Sequence, residues 1–131
     1  MKEADVIRVI KDYLQIQRNQ KKLMYIRNNS GAMPIEGKKS KKQYFMGVPI
    51  TDGESKRRYI RFGDKGSPDF FVFVTLWLTH SIKTLEVIAI EVKSDTGKQS
   101  KDQKKWQKDF EAIGGVYYIV RNLDELIKII G

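Results

Sequence analysis

The sequence predicts an α/β fold with a mixed central sheet flanked by helices. Three observations predict it. An amphipathic pattern opens the chain, residues 69–78 are mostly apolar on both faces of an extended strand, and a strand, a helix and another strand follow one another between Val87 and Val120. A strand apolar on both faces belongs inside a sheet that is covered on both sides. A strand–helix–strand crossover of that length favours parallel pairing, whereas a short link between two strands gives an antiparallel hairpin, so one sheet should hold both.

Residues 3–18 read as the first helix, with Ile7, Ile10 and Leu14 on one stripe and Val6 and Tyr13 beside it. Glu3 falls on that stripe in the first turn, where an acid complements the helix dipole. Leu23–Ile26 is a short strand, and Arg27-Asn28-Asn29-Ser30-Gly31 a turn with several hydrogen-bond donors. Residues 32–58 are the least regular part of the chain, and Arg58–Phe62 returns as a strand. Pro68 precedes the long apolar strand, at a position where no ladder donor is needed. Thr79–Thr84 is a hairpin connection that holds the only histidine, His80, which reads as a loop residue. Any chemistry here then proceeds without histidine.

After the second long strand, Ser100-x-x-Gln103 is a capping box that opens a helix running to Ile113. Gln103, Trp106, Phe110 and Ile113 follow a 3, 4, 3 spacing and form its core-facing stripe. Gly114-Gly115 ends the helix, Val116–Val120 is a strand, and Asn122-x-x-Glu125 caps a last helix that turns Leu123, Leu126, Ile127 and Ile130 inward.

Composition narrows the function. The chain has 131 residues, 40% hydrophobic and 31% charged, which suits one globular domain rather than a disordered chain. It has no cysteine, which excludes disulfides and thiolate metal sites and fits a reducing cytoplasm. No apolar run is long enough to span a membrane and no secretory leader opens the sequence, so no membrane role is expected. The net charge is +9, and nine basic residues against three acids lie between Gly37 and Lys65, which concentrates two thirds of that charge in under a quarter of the chain. A lysine run is by default a solvated loop. Interleaved with Tyr44, Phe45 and Tyr59 and placed just before an acidic motif, it reads better as a phosphate-gripping arm that positions a nucleic-acid backbone. Trp106 and Phe110 read as core rather than as base-stacking platforms. Arg121 suits a DNA contact and a plain surface position equally.

The acidic motif carries the chemistry. In Val87–Lys93 the side chains of Val87, Ala89, Glu91 and Lys93 share one face, so Glu91 and Lys93 stand about 6.5–7 Å apart along the strand. An acid and a lysine after so apolar a run are costly to bury unless they pair with each other or with a metal. Asp69, opening the neighbouring strand, supplies a second carboxylate, and Gln103 points back from the helix. The bland alternatives are a surface ion pair and an ordinary cap; the combination favours a divalent-metal site that cuts a phosphodiester.

Gly66-x-Pro68-Asp69, Glu91-Val92-Lys93, Gly97-Lys98-x-Ser100, Gln103 and Gly114-Gly115-x-x-Tyr118-x-Val120, with Arg27-Asn28-Asn29-Ser30-Gly31 upstream, resemble the virus-type replication-repair nuclease (VRR-NUC) domain. That domain is a branch of the PD-(D/E)XK superfamily, which includes Holliday-junction resolvases and many restriction enzymes. The resemblance covers nearly the whole chain and implies one nuclease domain over residues 1–131 with a restriction-endonuclease-like αβββαβ core. It implies Mg²⁺ or Mn²⁺ held by Asp69 and Glu91 with the Val92 carbonyl, Lys93 as catalytic lysine, Gln103 as active-site support and Glu3 as a secondary metal candidate. DNA contacts are expected from Arg27, Asn29, Ser30, Lys38, Lys39, Lys41, Lys42, Arg57, Arg58, Arg61, Lys65 and Lys98. The expected function is a structure-selective endonuclease, a resolvase of four-way junctions acting as a homodimer, with no small-molecule cofactor, in the cytoplasm of a bacterial or phage-infected cell. The alternatives are a nuclease acting on flaps or other DNA, and a non-catalytic DNA-binding accessory protein.

Overall fold

The computed structural model describes residues 1–28, 32–35, 44–46, 48–49, 58–61 and 63–131. The chain forms two compact units, Met1–Ser30 with Gly63–Gly131, and Gly31–Phe62. In the smaller unit β2 (Ala32–Ile35) pairs antiparallel with β5 (Arg58–Arg61), and β3 (Tyr44–Phe45) with β4 (Val48–Pro49). Within a segment expected to be irregular, three short strands thus precede β5.

The larger unit contains α1 (Glu3–Asn19), β1 (Met24–Arg27), β6 (Phe70–Trp77), β7 (Lys83–Val92), α2 (Lys101–Ala112), β8 (Val116–Val120) and α3 (Leu123–Ile130). Its sheet runs β1-β6-β7-β8, antiparallel except for the parallel β7–β8 pair. The mixed αβββαβ core expected from the sequence is therefore present, with α3 appended. No helix among the described residues is long and apolar enough to cross a membrane.

Residue alternation decides what each face carries. Phe70, Val72, Ile88, Ile90, Val92 and Val120 face α1 and α3 and bury Val6, Ile10, Leu14 and Leu126 against them. Full burial of Ile10 and Leu14 contributes about 1.5–3 kcal/mol each and fixes the position of α1. The buried stripe of α1 is Val6, Ile10 and Leu14, with Ile7 only half-buried, one step round the helix from the expected stripe. On the opposite face α2 lays Trp106 against Phe71 and Tyr117 at centroid separations of 5.9 and 6.2 Å, with Phe110 stacked on Trp106 at 4.9 Å. Asp69 and Glu91 alternate onto this second face.

Four expected core positions are exposed. Ile113 is 84% exposed, because α2 ends at Ala112 and Gly114, at φ +96°, turns the chain away. Ile127 is exposed while Leu123, Ile129 and Ile130 pack on the core. Strand β6 is central only as far as Phe73, its last partner on β1, and β8 joins β7 only from Ile88. Beyond that, β6 and β7 continue as a two-stranded arm, which leaves Leu76 and Trp77 exposed.

Candidate active site

Asp69 is positioned by a tightly bonded turn. Ser67 Oγ donates to the Asp64 carbonyl at 2.7 Å, and the Asn28 side-chain amide donates to Ser67 Oγ and to the Pro68 carbonyl at 2.8 Å each. Beyond β1, the Asn28 backbone N–H reaches the Asp69 carbonyl at 2.7 Å. The Asp69 carboxylate is itself held, with Oδ2 accepting from the Val92 N–H at 2.7 Å and Oδ1 lying 3.4 Å from the Arg27 guanidinium. The end of β7 thereby fixes an acid that stands immediately before β6.

Gly66 makes the next connection. Its φ is +83°, and an added Cβ would land on the backbone carbonyl of Asp102 in the first turn of α2. The turn that delivers Asp69 and the helix that delivers Gln103 thus touch through a position without a side chain. Gly66→Ala is expected to destabilise the protein by about 2–4 kcal/mol, combining a left-handed residue with overpacking. It should also slow cleavage, because α2 must move. A urea melt and a cleavage rate check both, and an unchanged pair would contradict this account of the contact.

Glu91 and Lys93 are buried at 2% and 7% exposure, on the face that alternation assigned them. Lys93 Nζ lies 3.5 Å from Glu91 Oε1, and the same oxygen accepts from the Gln103 amide at 3.1 Å. Gln103 performs both roles that its sequence left open. Its Oε1 accepts from the Ser100 N–H at 2.9 Å and its backbone N–H donates to Ser100 Oγ at 3.2 Å, which completes the capping box. Because the cap occupies the carbonyl end of the amide, the NH₂ end is left to face Glu91. Local helix chemistry thus orients a side chain of the site.

Glu91 Oε2 is buried with no hydrogen-bond partner among the described residues. Such an orphan is costly and calls for a missing partner. One carboxylate oxygen from each of Glu3, Asp69 and Glu91 lies within 4.8 Å of the others. Burial first, then the Asp69 charge, push the Glu91 carboxyl up to about 8, against the pull of Lys93. Two acids crowded around a desolvated third are unfavourable unless a cation joins them, and hard divalent ions take carboxylate oxygens. This donor set fits Mg²⁺ or Mn²⁺. The structure therefore brings together Glu3, Asp69, Glu91, Lys93 and Gln103, and Val92 stands beside them through its N–H bond to Asp69.

A model of the VRR-NUC domain matches residues 10–122. The chain belongs to the VRR-NUC family. It is accordingly a nuclease, with DNA as the implied substrate, and its mixed sheet with flanking helices is the VRR-NUC fold of the PD-(D/E)XK type. No curated protein and no solved structure matches the chain.

In this VRR-NUC domain, Glu3 lies outside the matched span, yet its carboxylate is among the three that converge. The expected DNA contacts are distributed differently. The Arg27 guanidinium donates at 2.7 Å to the carbonyls of both Asn28 and Asp69 and stacks over Phe70, so it is committed within the site's own framework. Lys65 pairs with Asp102 at 3.3 Å on the surface, and Lys98 is exposed. Arg58 and Arg61 belong to β5, opposite Ile35 and Ala32. Asn29, Ser30, Lys38, Lys39, Lys41, Lys42 and Arg57 lie outside the described residues. Sequence reasoning missed Asn28 and Ser67, whose bonds hold the Asp69 turn. The donor-rich Arg27–Gly31 element was the available signal, but it does not say which donors turn inward.

Proposed function

We propose that the protein is a metal-dependent, structure-selective DNA endonuclease that resolves four-way junctions as a homodimer. The observation that carries this reading is the meeting of Glu3, Asp69 and Glu91, with a buried Glu91 oxygen that has no partner among the described residues and Lys93 as its neighbour. Asp69, Glu91 and Glu3 would hold Mg²⁺ or Mn²⁺, with the Val92 carbonyl as a further donor. When bound, such an ion lowers the pKa of water and offsets charge on the phosphate under attack.

The chain's own groups divide the remaining work. Lys93 brings a fixed ammonium, whose positive charge suits the developing phosphate charge. Gln103 and Lys93 both engage Glu91 Oε1, and neither bonds to Oε2. The Val92 N–H and Arg27 hold Asp69 in place. Concentrated basic charge before the motif suits backbone contacts, so selectivity should follow DNA structure rather than sequence. Resolving a junction takes two cuts, and a second copy of the chain supplies the second site.

The test is cleavage of a four-way junction beside linear, nicked and flap substrates over a range of salt, with Mg²⁺, Mn²⁺ or EDTA, and with light scattering to give the mass. The expected result is paired cuts in the junction, dependent on the ion, by a particle of twice 15.3 kDa. Equal cutting of flaps and linear duplex would replace junction selectivity with a general nuclease, and cutting in EDTA would remove the metal.

A further inference from the structure

We propose that Arg121 is a positioning residue for the nuclease reaction, fastening the turn between β7 and α2 so that Lys93 and Gln103 stay aimed at Glu91. The catalytic part of this inference rests on the nuclease reading above; the fastening does not. Arg121 is the first residue after β8. Its Nη1 donates to the Ser94 carbonyl at 2.5 Å and to the Gly97 carbonyl at 2.8 Å, with the Asp95 carbonyl at 3.4 Å. One guanidinium therefore gathers three main-chain oxygens of the turn that begins directly after Lys93.

The anchor is itself anchored. The Arg121 backbone N–H donates to Glu125 Oε2 at 2.8 Å, and Asn122 caps α3 by accepting from the Glu125 N–H at 2.9 Å. One residue earlier, the Val120 carbonyl accepts from the Lys93 N–H at 3.0 Å. The junction of β8 and α3 thus holds Lys93 by its backbone and the following turn by a side chain. Within itself the turn is held by the Gly97 N–H, which donates to the Ser94 carbonyl at 3.2 Å and to Ser94 Oγ at 3.0 Å. A charged donor bonded to carbonyls is about twice as strong as a neutral one, and the two N–H groups of Nη1 lie fixed in the guanidinium plane.

The turn spans the two side chains that meet on Glu91 Oε1, so any slack in it separates them. Lysine keeps the charge but lacks the planar, fixed N–H geometry of the guanidinium and should rescue only partly. Exposed basic residues near a nuclease site ordinarily grip phosphate, which makes the two roles separable by experiment. Removal of a phosphate contact weakens binding and lowers the salt slope by about one, whereas loss of a positioning contact lowers the cutting rate on bound DNA.

The experiment compares wild type with Arg121→Ala and Arg121→Lys by single-turnover cleavage at saturating junction, by junction affinity across salt, and by amide hydrogen exchange. Expected for Arg121→Ala is a cutting rate about 10- to 100-fold lower, the scale of a small misplacement of a catalytic group. Arg121→Lys should fall between, with affinity and salt slope unchanged for both. Exchange should quicken at residues 94–99 and stay slow along β6 and β7. An unchanged rate together with a reduced salt slope would make Arg121 a phosphate contact, and unchanged exchange at 94–99 would overturn the fastening. If the wild type cuts nothing, the exchange arm still decides whether the turn is held; if Arg121→Ala does not fold, Arg121→Lys carries the comparison.

Discussion

Glu91→Gln is expected to abolish cleavage and at the same time stabilise the metal-free protein. Loss of the central carboxylate would remove a ligand of the proposed ion, which would supply several kcal/mol to the transition state, so the rate should fall by about 10³-fold or more. Stability moves the other way because of how Glu91 titrates. Its folded pKa, about 8, lies above the ordinary value of 4.5, so the folded protein retains a proton that the unfolded chain releases. Stability therefore falls as pH rises from about 4.5 toward 8, by an amount on the order of a few kcal/mol. Glutamine has no charge to desolvate, so this slope should vanish in the variant. Urea melts in EDTA between pH 5 and pH 9 should show two curves that converge at the acid end and separate as pH rises. Mn²⁺ should raise the melting temperature of the wild type and leave that of the variant unchanged, since only a native state that binds the ion gains from it. Parallel pH curves would show that Glu91 does not carry the charge strain described here.

That conflict between stability and chemistry was partly legible in the sequence. Alternation put Glu91 and Lys93 on one face, and the structure agrees because strand geometry leaves no other choice once Ile88, Ile90 and Val92 are buried opposite. The double role of Gln103 followed from two local rules, the cap and the helix period, that happen to meet on one residue. What stayed hidden depends on long-range placement. Arg121 and Ser94 are 27 residues apart, and Arg27 and Asp69 are 42 apart, so no local pattern reveals that either guanidinium turns inward to carbonyls. Glu3 belonged to a helix stripe by period, but its distance from Asp69 depends on where α1 seats. Exposure of Ile113, Ile127 and Trp77 has the same origin: periodicity gives a face, and only the lengths of neighbouring elements say whether something covers it.

Lys93→Met should leave a folded protein that binds the junction and does not cut it. Methionine keeps most of the apolar stem, so packing around the end of β7 survives while the ammonium is lost. Removal of one partner of a buried ion pair ordinarily costs about 3–5 kcal/mol, because the other charge is stranded. Here Glu91 can escape that penalty by taking up a proton, since its carboxyl already sits near 8 with the lysine in place. The stability loss at pH 7 should therefore be smaller than the ion pair alone suggests, and it should grow at pH 9, where the proton is harder to keep. Cleavage should fall by about 10²–10³-fold, the usual effect of removing one donor aimed at developing charge. Junction affinity in Ca²⁺ should change less than twofold, because Lys93 is buried beside Glu91 and is not part of the exposed basic surface. Retained cutting would assign Lys93 to structure alone, and a large loss of affinity would make it a DNA contact. Tight binding with a dead active site would separate a lysine needed for the cleavage step from one that grips DNA.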